Sequence, residues 1–158
     1  MTRSTAACVA LAVLTAGTSR AQPLHDATAE EVTEATFRQQ VAFWLTDHAR
    51  RSGTLVCLSV DQSGVPRSVT QEYLQRFREP SVRRGADCEN RAGSVVDRAT
   101  GRPAVMVTVG AISWAAPDEA WVTVRYDRKL SSGSQQYRVV KEQARWICLG
   151  PIVKLSPA

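Results

Sequence analysis

The chain has 158 residues, with 20 Lys or Arg against 15 Asp or Glu, a formal net charge of +5 and 44% hydrophobic residues. That length buries a real core, and mixed charge signs without any nucleic-acid motif set nucleic acid aside as a partner. Four cysteines and two histidines bound the nucleophile and metal chemistry the chain can host.

The amino terminus reads as a cleavable secretory signal peptide over residues 1–21. Arg3 supplies the positive start, Ala6 to Leu14 the apolar run, and Ser19-Arg20-Ala21 the small residues at the −3 and −1 positions of a cleavage site. The run falls short of the roughly 20 residues a membrane-spanning helix needs. Cys8 lies inside the run rather than after it, so no lipid anchor is expected. Cleavage would leave residues 22–158 as a single periplasmic or secreted domain, without a transmembrane segment and with a charge of +3, because Arg3 and Arg20 depart.

Export changes the reading of the cysteines. An oxidising compartment predicts one disulfide among Cys57, Cys88 and Cys148, and Cys57–Cys88 is the expected pair. Cys148, within Trp146-Ile147-Cys148-Leu149, then reads as a buried strand residue. A catalytic Cys148 would need a histidine partner and an electropositive, exposed setting, and its neighbours are apolar. No pair has the Cys-x2-Cys spacing of a structural zinc site.

After a leader over residues 22–27, Thr28 and Glu31 form a capping box that predicts a helix start. Phe37, Val41, Trp44, Leu45 and His48 recur at helical spacing, Arg50 and Arg51 suit a carboxyl end, and Gly53 stops it. Leu55 to Val60 reads as a buried strand and residues 62–66 as a loop. Ser68 and Gln71 form a second capping box for a helix reaching about Arg78, with Pro80 beyond. From Val82 the period becomes two. Gly93–Asp97 and Pro103–Val109 read as a hairpin about Thr100-Gly101, and a parity slip at Gly110-Ala111 predicts a β-bulge. Turns are expected at Asp118-Glu119, Ser131–Ser134 and Gln143-Ala144, separating strands through Ala120–Asp127, Tyr137–Glu142 and Trp146–Val153. The sum is an α+β fold: one long amino-terminal helix and a second short helix packed on a curled antiparallel β-sheet.

The stretch from Arg102 to Ser156, with Tyr137-Arg138-Val139-Val140 and Trp146-Ile147 as its last hairpin, resembles the carboxyl half of small exported bacterial proteins of unknown function. The layout also resembles the cystatin-like and nuclear-transport-factor-2-like superfolds, which implies a sheet curled about the long helix. It departs from the usual order of the latter in placing a strand between the first two helices. Such folds host enzymes, ligand binders and assembly modules alike.

Candidate chemistry is sparse. His48 falls on the apolar helix face, where a packed histidine and a pocket group are both readings; Asp47 points about 100° away and offers no acid–base partner. Asp118 and Glu119 read as solvated turn residues. Arg76, Arg78, Arg83 and Arg84 read as an exposed surface that could hold an anion. If Ala120, Val122, Val124 and Tyr126 face the core, Trp121 and Arg125 face outward, a common interface anchor. No Gly-x-Ser-x-Gly, phosphate loop, His-Glu-x-x-His or EF-hand occurs. The expectation is therefore a non-catalytic exported binding module, without cofactor, for an envelope protein or a small apolar ligand. The alternatives are a small enzyme with a pocket of Trp44, His48 and Tyr126, or an inhibitor or immunity-type protein.

Overall fold

The computed structural model describes residues 23–46 and 52–151. The signal segment, His48 and the Arg50-Arg51 helix end lie outside the described residues. Helix α1 spans Pro23–Trp44, so it begins five residues before the expected cap and includes the segment read as a leader. Proline is well suited to the first helical position, where its missing N–H would have had no partner, and it outcompetes Thr28, which lies inside the helix. The buried face is Val32, Phe37 and Val41, continued by Leu45 just past the helix end, each at most 6% exposed.

The fold is α+β. A seven-stranded sheet runs β2–β1–β6–β7–β8–β9, with β3 also on β1, and β4–β5 forms a separate hairpin. The ranges are β1 Leu55–Gln62, β2 Val65–Ser68, β3 Val82–Arg84, β4 Cys88–Arg91, β5 Ser94–Asp97, β6 Ala104–Ala116, β7 Glu119–Arg128, β8 Ser131–Glu142 and β9 Arg145–Pro151. The sheet is mostly antiparallel, but β1 runs parallel to both β3 and β6, which the reading as an antiparallel meander did not contain. None of the described helices is long and apolar enough to cross a membrane.

Strand β2 occupies the stretch expected to be loop. The turn is only Ser63-Gly64, both at positive φ, with Asp61 Oδ1 accepting from Gly64 N at 2.7 Å. Pro66 is tolerated because β2 is an edge strand. The short helix α2 covers only Gln71–Leu74 and is capped by Thr70, whose hydroxyl accepts from Tyr73 N at 3.1 Å. Ser68 does not cap it: its Oγ accepts from Ala86 N and donates to the Val69 carbonyl.

The hairpin expected between residues 93–97 and 103–109 does not form. The turn at Thr100 is present, since Asp97 Oδ2 accepts from Thr100 N at 3.0 Å, but β5 ladders with β4 and meets the chain entering β6 through the isolated Val96–Pro103 bridge and the hydrogen bond from Asp97 N to the Arg102 carbonyl. The Gly110-Ala111 slip is a real register shift between Val109 and Ile112 against β7. Ser131–Ser134 is strand, and the turn sits at Lys129-Leu130. Gly133 is needed within β8 because a Cβ there would lie 2.5 Å from the Tyr126 hydroxyl; the tyrosine ring lies across it.

Two cores result. Val56, Leu58, Val105, Val107, Val109, Ala120, Val122, Val124 and Val139 meet α1 on one sheet face. On the other face Leu55, Cys57, Ala104 and Met106 meet Cys88 and Val95 of the β4–β5 hairpin. The Cys57–Cys88 disulfide, as expected from sequence, ties that hairpin to β1.

Candidate functional site

The β-strand alternation decides which side chains face away from α1. Ala120, Val122 and Val124 are at most 1% exposed in the helix-side core, so Trp121, Thr123 and Arg125 emerge opposite. Trp121 is half-buried, and Arg125 is exposed. In register, Trp121 lies between Ser113 on β6 and Arg138 on β8, while Glu119 lies beside Val140, which lies beside Ile147 on β9. Ile147 is 40% and Leu149 53% exposed. Trp121, Val140, Ile147 and Leu149 therefore form an apolar strip over β7–β9.

Paired charges frame this strip. Arg138 donates Nε to Glu119 Oε1 and Nη2 to Glu119 Oε2, both at 2.9 Å, a bidentate fork. The guanidinium holds the Glu119 carboxyl below its usual range. Arg125 reaches across β6 to Asp61 on β1. The two sequence-predicted residues thus share a face, with Arg125 engaged by a carboxylate that sequence reading did not connect to it. The signal was the matching parity of Asp61 and Arg125 on strands two places apart, hidden until the parallel β1–β6 pairing is known.

The helix side offers less. Trp44 packs on Tyr126 with ring centroids 5.3 Å apart, and Arg128 covers the Trp44 ring at 5.4 Å. Two of the three residues of the expected enzyme pocket stack on each other, with Trp44 and Arg128 also lining a cleft of about 560 Å3, and the third, His48, is outside the described residues. Cys148 is free and buried, and burial pushes its thiol up, away from nucleophile chemistry. The arginines read as an anion surface are in good part engaged: Arg76 pairs with Glu30 and Glu34, Arg84 with Asp87, and Arg83 donates to the Pro80 and Val82 carbonyls. Among the described residues, no group of three or more His, Cys, Asp or Glu side chains could hold a metal ion.

Compared with known proteins, the chain matches no family model, no curated protein and no solved structure.

Proposed function

We propose that the chain is an exported, non-catalytic binding module that engages a protein partner through the β7–β9 face turned away from α1. The observation that carries this reading is the strip of Trp121, Val140, Ile147 and Leu149, framed by the Arg138–Glu119 and Arg125–Asp61 pairs. A tryptophan beside arginines with an apolar centre and a charged rim is the composition of protein interfaces. A strip laid along three neighbouring strands suits a protein surface, whereas a small ligand needs a concave pocket.

The disulfide supports an oxidising destination, and the signal-like first 21 residues supply the route. A sheet curled about α1 in the cystatin-like or nuclear-transport-factor-2-like manner belongs to the same reading, supported by the register shift in β6.

The test is a photo-crosslinking amino acid placed at Leu149, and separately at Leu130 as a distant exposed control, in protein exported by its native host. The expected result is one stoichiometric protein adduct from position 149 that disappears when Trp121→Ala is added and never forms from position 130. Equal adducts from both positions, or an adduct indifferent to Trp121→Ala, contradict the reading.

A further inference from the structure

A cleft of about 450 Å3 opens on the same sheet face under the β4–β5 hairpin, away from the Trp121 strip. Its floor is laid by the parallel pairing of β1 and β6, which puts Ser59 directly beside Thr108. Both side chains are polar and almost wholly buried, at 4% and 3% exposure. The Ser59 hydroxyl points at the Met106 sulfur, 3.5 Å away, a weak acceptor. Thr108 makes no side-chain hydrogen bond among the described residues. The Thr108 hydroxyl opens to the cleft, where a ligand atom can take its hydrogen bond.

The rim supplies the charge. Asp127 lies opposite Met106 in register, lines the cleft and makes no ion pair among the described residues. Of the cations on its strand, Arg125, two residues away on the same face, is taken by Asp61, and the adjacent Arg128 lies over the Trp44 ring on the helix side. Among the described residues, Asp127 is the one charged side chain lining the cleft, while Pro66, Val95 and Met106 make its walls apolar. The disulfide fixes the hairpin that closes the cleft. We infer that this cleft binds a small organic cation, an ammonium group on a short apolar stem. The ammonium meets Asp127, the floor hydroxyls accept its remaining N–H bonds, and the stem lies on Met106 and Val95. An anion is disfavoured there by the unneutralised carboxylate.

The site is separate from the partner-binding strip, so its test can fail without touching that reading. The probes are pentylammonium, pentanoate and 1-pentanol, which share one stem and differ in head group, titrated into the 15N-labelled disulfide-intact protein. Pentylammonium is expected to shift the amides of Ser59, Thr108 and Asp127 and to bind at least about tenfold tighter than the other two. Asp127→Asn, checked for an unchanged amide spectrum elsewhere, removes that preference; Thr108→Val weakens pentylammonium several-fold; Asp118→Asn changes nothing. No shifts at those amides, equal binding of pentanoate, or an undiminished preference in Asp127→Asn overturns the inference.

Discussion

Gly85 sits directly on Ser59: a Cβ at position 85 would lie 1.9 Å from the Ser59 hydroxyl oxygen and 3.1 Å from the Leu58 carbonyl oxygen. This close approach lets the short 3-10 turn over Gly85–Asp87 lie against β1 and start β4 at the point where Cys88 reaches Cys57. Gly85→Ala is expected to destabilise by about 1–3 kcal/mol through overpacking. Adding Ser59→Ala removes the atom in the way, so the double variant recovers about half of that loss or more. Urea unfolding midpoints decide it, and strictly additive losses contradict the contact.

The disulfide closes a sequence separation of 31 residues, which the chain-entropy model converts to about 3–4 kcal/mol. Cys57→Ala with Cys88→Ala is expected to lose stability on that scale. Hydrogen exchange should accelerate first in β4 and β5, because the α1-side core does not depend on the bond. Uniform acceleration across α1 and β7 contradicts this division into two cores.

Tyr73 illustrates a polar group that contributes little as such. Its ring packs edge-on to Phe37 at 6.1 Å and under the Arg76 guanidinium at 5.0 Å, while its buried hydroxyl has no hydrogen-bond partner among the described residues. Burial pushes the phenol far above its usual value. Tyr73→Phe is therefore expected to be neutral or stabilising by up to about 1 kcal/mol, whereas a loss above about 1 kcal/mol contradicts an unsatisfied hydroxyl.

Acid should weaken the fold through carboxylates held low by arginine, Glu34 and Asp87 among them. Burial pushes Glu34 up, but hydrogen bonds and charge from Arg38 and Arg76 outweigh it and hold its pKa below the ordinary 4.5. Arg84 holds Asp87 below the ordinary 3.8. A pKa depressed by folding gives stability that is present above the unfolded value and lost as pH falls through the folded one. Unfolding free energy is expected to fall from about pH 5 to pH 3, and Arg76→Met to make that slope shallower. An unchanged slope contradicts the role of Arg76.

Local chemistry in the sequence foretold what local chemistry decides. The outward placement of Trp121 and Arg125, the bulge after Val109 and the Cys57–Cys88 bond all follow from alternation and from an expected oxidising compartment, and the structure contains them. The misses are competitions settled by tertiary contacts. Ser68 is drawn from its expected cap by Ala86, and β5 pairs back on β4 because the Ala92-Gly93 turn, both residues at positive φ, closes a tighter hairpin than the Thr100 turn. Ser131–Ser134 has turn composition, yet the Tyr126 ring needs a glycine across the strand. The cleft floor was illegible because Ser59 and Thr108, 49 positions apart, meet only through a parallel pairing that no hydrophobic period encodes.

We read the chain as a protein that folds after leaving the cytosol and binds through the face opposite α1. The most direct test is intact mass spectrometry of the native protein with and without thiol alkylation. The expected result is a chain beginning at Gln22, with Cys57 and Cys88 bonded and Cys148 alkylated only after unfolding. A chain still carrying Met1, with all its thiols free to react once unfolded, would contradict it.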